Sequence, residues 1–366
     1  GITSGHWPHY FDAPMDHNGQ TVRGNGFIAD DLTDHALAFI EQKRHQPFFL
    51  YLPFDTPHSP MQVPDRFYAK FAQAELALRD REPEWEDVAH TRAALAMVEN
   101  IDWNVGRVLD RLDLLDLAKN TVVIYFSDNG PNGRRWNGNM KGRKGSTDEG
   151  GVRSPFLIRW PSRIRAGARV PQIAAAIDLL PTLADFARIP IIGDKPLDGK
   201  SIAPLLLAEN VSWPDRRLFN FKIEGQISVR TQQYRLDSEG ALFDIAADPE
   251  QRTNVAAQHP KVTAELLAAA ATMKREVLAA RGKDDRPLPV GQARVTALPA
   301  GDATTSGGVK ASNRFNNSSY FTQWSQTNGV VTWDIEMAQA GDYEAVIEYA
   351  CPAGDVGATL ELGFAG

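Results

Sequence analysis

One cysteine, Cys351, stands among 366 residues. An internal disulfide framework is therefore excluded, and no Cys/His cluster has zinc-ligand spacing. Long apolar runs are also missing. The longest, such as Thr121 to Phe126, fall far short of the roughly 20 residues that cross a bilayer as a helix. A basic excess is lacking as well. The 39 Lys and Arg against 46 Asp and Glu give a net charge of -7, and no segment carries a basic stripe, which argues against a phosphate-backbone binder and against nucleic acid as a partner. There is no internal repeat or long low-complexity tract. The sequence opens on Gly1 without a methionine, charged leader or apolar signal core, and stops at Gly366 just after the alternating run Ala358 to Phe364. Both ends read as cut.

What is present is ample for a core. Hydrophobic residues make up 43% of the chain, and its length implies two or three packed units. Residues 27 to 43 carry apolar side chains at helical spacing, and the run Phe48-Phe49-Leu50-Tyr51-Leu52 then reads as a buried strand. The pattern repeats with an amphipathic helix from Ala93 to Leu117 and a β-branched strand from Thr121 to Phe126. Pro155 to Trp160 reads as a third strand and Asp178 to Phe186 as a further helix. Helices alternating with apolar strands predict an α/β core with a mostly parallel sheet sandwiched by helices. From Leu218 the strands become short and alternating (226–230, 233–236, 241–245) and are followed by an alanine-rich helix, Lys261 to Arg281. This predicts a small antiparallel sheet with one covering helix. After residues 282–289 the chain is rich in Thr, Ser, Asn and Gly, with strands expected at Val330 to Ile335 and Tyr343 to Tyr349, as in a β-sandwich. The expected domains are residues 1–215, 216–285 and 286–366.

In open α/β sheets ligands bind just beyond the carboxyl ends of the strands. Three segments there carry chemistry. A proline-flanked loop, Pro53-Phe-Asp-Thr-Pro-His58-Ser-Pro60, would hold one imidazole in place. Ser127-Asp128-Asn129-Gly130 puts a carboxylate beside a carboxamide, hard oxygen donors suited to calcium or magnesium, although Asp-Asn-Gly is also an ordinary turn. The third, Lys141-Gly-Arg143-Lys144-Gly to Glu149-Gly-Gly-Val-Arg153, sets glycines beside cations, which fits an approaching sulfate or phosphate. Its bland alternative is a solvated basic turn in which Glu149 pairs with Arg153.

In order and spacing these blocks resemble the type I sulfatases of the alkaline-phosphatase-like superfamily. The matching residues are Pro47 to Leu52 with Pro57-His58, Asp102 and Gly106, Ser127 to Gly130, Lys144 to Arg153, and Arg159-Trp-Pro161. Leu197-Asp-Gly199, Phe243-Asp-Ile245, Asp248-Pro249 and Asn254 resemble the family's C-terminal subdomain. The resemblance implies a sulfuric ester hydrolase acting on an aryl sulfate or a sulfated carbohydrate. Asp128 and Asn129 would supply half the oxygen cage of a calcium ion, with magnesium as the other candidate. Lys144 would contact the sulfate, and His58 would donate a proton or hydrogen bond to the departing alcohol. It further implies a formylglycine nucleophile made from Cys or Ser in a Cys/Ser-x-Pro-x-Arg motif, with two more Asp ligands and a Lys-x-His pair, all upstream of the first helix here. None of them occurs in these 366 residues, so the chain by itself is expected to be inactive. Cys351, followed by Pro-Ala-Gly, lacks the motif and reads as buried packing. Ser212-Trp-Pro-Asp-Arg216 fits it loosely on the wrong side of the fold, and reads as a surface connection. Arg159-Trp-Pro-Ser-Arg163 has arginine where the nucleophile should stand.

Substrate selection is expected from pocket residues: His6, Trp7, His9 and Tyr10 near the start, and Arg134, Arg135 and Trp136 after the metal turn. The terminal module, with Tyr320, Trp324 and Trp333 as candidate exposed aromatics, could bind carbohydrate. Family members are usually exported, which implies a periplasmic or extracellular protein. Two rival readings stay open on residues alone. One is a phosphate or phosphonate monoester hydrolase of the same superfamily; the other is a non-catalytic carbohydrate-binding protein on a sulfatase-like core.

Overall fold

The computed structural model describes residues 2–4, 10–193, 195–208, 211–222, 225–281, 285–292, 295–313, 319–347 and 349–364. They fall into two compact units, residues 1–284 and 285–366.

The first unit begins with an antiparallel meander of β1 (Ile2–Ser4), β2 (Pro14–His17) and β3 (Gln20–Arg23). Between β2 and β3, Asn18 and Gly19 both take positive φ, 55° and 81°, the two-residue turn whose twist matches that of paired strands. Helix α1 (Ile28–Lys43) buries Ile28, Leu32, Ala36 and Ile40, a stripe at helical spacing. A single turn, α2 (Asp65–Tyr68), precedes the long α3 (Val88–Leu114). α3 starts five residues before the expected Ala93 because Asp87 caps it, its carboxylate accepting from the His90 amide at 3.0 Å. α1 and α3 are locked together through polar groups as well as apolar ones. Asn100 and Asn104, both fully buried, donate to Asp30 Oδ1 at 2.7 and 2.8 Å. Met97 packs with Ile28, Ala29 and Leu32 of α1 and with Tyr10, Ala13 and Met15, and a second cluster joins Ile40, Leu112 and Ala118.

The core sheet differs from expectation. β4 (Val123–Phe126) pairs with β5 (Phe156–Arg159) antiparallel, Val123 facing Arg159 and Phe126 facing Phe156. The connection between them holds only the four-residue α4 (Glu149–Val152), not the crossover helix that a parallel neighbour would need. The run Phe48–Leu52, expected as a buried strand, lies outside every ladder among the described residues. Its alternation is nevertheless a strand's. Phe48 and Leu50 pack on the α1–α3 core and Leu52 on the first cluster, whereas Phe49 and Tyr51 point outward, 75% and 70% exposed.

After α5 (Leu179–Ala187) and α6 (Ala203–Leu207), a four-stranded antiparallel meander follows: β6 (Leu218–Phe221), β7 (Ile227–Arg230), β8 (Tyr234–Leu236) and β9 (Leu242–Asp244). Val229, Leu236 and Leu242 pack against Leu266 of α7 (Pro260–Arg281), so the small sheet with a covering helix is present as expected. Arg216, read from sequence as part of a surface connection, is instead buried and chelates both oxygens of the buried Asp178 at 2.9 Å.

In the second unit the described residues form three two-stranded pairs in place of the expected β-sandwich. β10 (Leu288–Val290) runs parallel to β15 (Ile335–Met337), while β11 (Thr304–Ser306) pairs with β14 (Val330–Thr332) and β12 (Lys310–Ala311) with β13 (Phe321–Thr322), both antiparallel. The described residues of the runs at 343–349 and 358–364 form no ladder; Val346, Leu360, Leu362 and Phe364 are exposed, so alternation there has no second layer to bury against. Trp333 is half-buried, its indole donating to the Pro299 carbonyl at 2.9 Å and packing on Phe321, while Tyr320 and Trp324 are exposed. Cys351 is exposed rather than buried.

Candidate functional site

The imidazole of His58 is exposed on a loop that turns through two cis prolines, Pro57 and Pro60. What holds this loop is Tyr10. Expected on a substrate-facing surface, Tyr10 is instead buried, and its hydroxyl hydrogen is shared between the carbonyls of His58 at 3.1 Å and Ser59 at 3.0 Å. Burial, reinforced by Asp55, pushes the Tyr10 phenol well above its ordinary range, so it stays a donor. His58 donates its own amide to Asp55 O at 3.0 Å, and its Nδ1 lies 2.8 Å from Ser59 O. A carbonyl only accepts, so Nδ1 carries the hydrogen and Nε2 is the atom that gains a proton when the ring ionises.

Asp128 and Asn129 follow β4 after a single residue, Ser127. Asn129 Nδ2 donates to Gly130 O at 3.0 Å, which leaves Oδ1 as the amide's acceptor, and Asp128 is exposed. Gly130 is required here: a Cβ on it would lie 1.9 Å from the Gly150 carbonyl oxygen. That close approach lets Gly130 N donate to Gly151 O at 2.9 Å, while Lys144 N donates to Pro131 O at 2.9 Å. The oxygen-donor turn and the Lys144 loop are thus stitched together by main chain. Among the described residues no three His, Cys, Asp or Glu side chains converge on a metal position. Asp128 and Asn129 fit calcium or magnesium as part of a larger oxygen set, not as a complete one.

The Lys144 loop has an anchor that the local pattern did not suggest. Glu149, read as a partner of Arg153, lies 3.8 Å from it but is only 3% exposed. Its Oε1 accepts from Arg230 Nε at 2.9 Å and from Arg235 Nη2 at 2.7 Å. Burial alone would raise the Glu149 pKa; Arg235 and Arg230, with Arg153, outweigh it and hold the carboxyl below the usual range. Arg235 also donates to Thr147 O at 2.6 Å, and Lys141 reaches Asp237 at 2.8 Å. The four-stranded meander therefore grips both ends of the loop that carries Lys144. Arg230 and Arg235 face each other on the adjacent strands β7 and β8, 81 and 86 residues away, where only their unusual charge in a short apolar pattern could have marked them.

Of the expected substrate residues, Arg134 is committed elsewhere: it pairs with Glu82 and lies 4.0 Å over the Trp85 ring. Trp136 is 58% exposed. Arg135 is half-buried, makes no ion pair among the described residues, and its Nε has no hydrogen-bond partner. His6, Trp7 and His9 lie outside the described residues.

The sulfatase family model matches residues 4–189, and that of the N-sulphoglucosamine sulphohydrolase C-terminal region matches residues 144–278. Among curated proteins the chain is 34% identical over 218 residues to the steryl-sulfatase of Mus musculus, covering 57% of this chain and 31% of that protein. It is 27% identical over 272 residues to an N-acetylgalactosamine-6-O-sulfatase of Bacteroides thetaiotaomicron, covering 65% and 49%. The chain thus spans between 30% and 49% of the length of these and similar curated relatives. Among solved structures, Ps i-CgsB in complex with k-i-k-neocarrahexaose superposes with a TM-score of 0.61 at 26% identity, covering 72% of this chain and 58% of that one. The α/β fold is alkaline-phosphatase-like, as expected, with small sheets in place of the broad parallel one. On the match to residues 4–189, half of its length, this chain belongs to the sulfatase family.

Proposed function

We propose that this chain carries most of a sulfate-ester hydrolase site, with a sulfated carbohydrate as the favoured substrate class and an aryl sulfate as the other. The observation that supports it most is the main-chain stitching of the Asp128–Asn129 turn to the Lys144 loop, with His58 held by the buried Tyr10. Asp128 and Asn129 would help to hold a calcium ion, which when bound supplies positive charge against a sulfate oxygen. Lys144 would contact the sulfate group, favouring the more negative transition state. His58, with Nδ1 fixed on Ser59 O, would deliver the proton at Nε2 to the departing alcohol. The sugar reading draws on a relative named N-acetylgalactosamine-6-O-sulfatase and on a neighbour in complex with k-i-k-neocarrahexaose.

The nucleophile of this reading is a formylglycine supplied by a part of the protein outside these 366 residues, which would act in the periplasm or outside the cell. Among the described residues no helix is long and apolar enough to cross a membrane. The coding sequence immediately before Gly1 tests the reading. It is expected to encode Cys/Ser-x-Pro-x-Arg preceded by paired aspartates. A threonine or unmatched serine there would move the chain to phosphoester chemistry, and the lack of any nucleophile would move it to carbohydrate binding. The 366 residues alone are expected to release no sulfate from an aryl sulfate above the uncatalysed blank.

A further inference from the structure

Asparagine precedes glycine at six places in the chain, beginning at Asn18, Asn25, Asn129, Asn132, Asn137 and Asn328. Such a pair can lose ammonia without an enzyme: the glycine nitrogen, unshielded by a Cβ, attacks the asparagine Cγ and closes a succinimide ring. The fold decides which pair reacts. Ring closure needs a glycine N–H that no acceptor holds and a carboxamide free to turn onto it. Four pairs fail on the first count. Gly19 N donates to Asp16 Oδ1 at 2.9 Å and Gly26 N to Asp12 Oδ1 at 2.7 Å, while Gly130 N donates to Gly151 O at 2.9 Å and Gly329 N to Gln326 O at 3.0 Å. A fifth fails on the second count, because Asn137 Nδ2 is pinned between the carbonyls of Met140 and Gly142, each at 3.2 Å. Asn132-Gly133 meets both conditions. Asn132 is exposed, and among the described residues neither its carboxamide nor the Gly133 amide has a hydrogen-bond partner. Residues 131–142 form no helix or strand, so closing the ring there breaks no backbone ladder.

We propose that Asn132 is a site of spontaneous deamidation. The bond from Gly133 N to Asn132 Cγ forms as the Cγ–Nδ2 bond breaks, and the proton lost by the peptide nitrogen leaves with the amide group as ammonia. Water then opens either C–N bond of the ring, to give aspartate or isoaspartate; nothing is oxidised or reduced. The position gives the change a consequence. Residue 132 lies between the Asp128–Asn129 turn and Lys144, and the carbonyl just before it, Pro131 O, accepts from Lys144 N at 2.9 Å. Isoaspartate adds a methylene to the main chain beside that bond, and either product adds a negative charge to the loop. The effect on ligand binding, unlike the modification itself, rests on the sulfate-ester reading of Asp128, Lys144 and His58: a carboxylate there repels a sulfate.

The test is incubation of the folded 366-residue chain at neutral and mildly alkaline pH, followed by proteolysis and mass spectrometry that locates each change by fragment ions. The Asn132 carboxamide is expected to be lost first, as a mixture of aspartate and isoaspartate, and faster at the higher pH because the attacking nitrogen must give up its proton. The other five pairs should stay intact in the folded chain and react once urea unfolds it. Asn132→Gln, whose longer side chain closes the ring far more slowly, should remove the modification. Retention of Asn132 while another pair reacts, or equal reaction of all six in the folded chain, overturns the proposal. Calorimetric titration with a monosulfated sugar, in calcium, then reads the consequence. Incubated wild type and fresh Asn132→Asp are both expected to bind about threefold more weakly than fresh wild type, the scale of an exposed charge interaction, and Asn132→Gln should not change on incubation. Deamidation at Asn132 with binding unchanged would uphold the modification and count against the sulfate-ester reading of the loop.

Discussion

At the scale of single residues, the site depends on contacts that carry no obvious chemical signature. Tyr10 looks in sequence like one more aromatic in a loop of histidines, and only burial shows it to be the tether of His58. Replacing it by Phe removes one shared hydrogen bond and leaves two carbonyls less satisfied. The expected cost is about 1 kcal/mol, read as a lower denaturation midpoint with an unchanged m-value. Glu149 is the sharper case. Glu149→Gln would leave Arg230 and Arg235 buried without their carboxylate, and breaking such a buried pair costs about 3–5 kcal/mol. Its pH dependence follows from the direction of its shift. Because the folded pKa lies below the ordinary one, its contribution is fully present above the unfolded-state carboxylate range and fades as pH falls through the folded value. Urea unfolding between pH 6 and acid should therefore show a loss in wild type that is smaller in Glu149→Gln.

At the scale of elements, the sequence was most legible where the period was long. α1, α3, α5 and α7 were all readable from spacing of apolar residues, and the β6–β9 meander from alternation bounded by turns. Short apolar runs were harder. Phe48–Leu52 has strand alternation, but period alone cannot say what it pairs with, and Phe49 and Tyr51 stay largely exposed. The described residues of 343–349 and 358–364 likewise alternate without joining a ladder. The three chemical loops were legible because Asp-Asn-Gly, Pro-His and Lys-Gly keep their order and spacing. Their mutual support was not, since Gly130 to Gly151 and Glu149 to Arg235 are contacts between distant segments. One element-level consequence is that Gly130→Ala cannot be accommodated without moving the Gly150 carbonyl. It is expected to weaken calcium and sulfate binding together, measured by titration, while circular dichroism stays native.

For the whole molecule, the surface tells as much as the core. Phe49, Tyr51 and Leu157, the last 64% exposed, are large apolar groups on extended segments of the first unit; where such groups are contiguous they mark a binding or association face. The chain is expected to bind a hydrophobic dye, and a Tyr51→Ser, Leu157→Ser double variant to bind it less. The central claim is that Asp128, Asn129, Lys144 and His58 form a site for a sulfate ester. It is tested most directly by titrating the chain, in calcium, with a monosulfated sugar and its unsulfated counterpart, in wild type, Lys144→Ala and Asp128→Ala. The account predicts that wild type prefers the sulfated sugar and that each substitution removes the preference. Equal binding of the two sugars by wild type, or a preference that survives both substitutions, would contradict it.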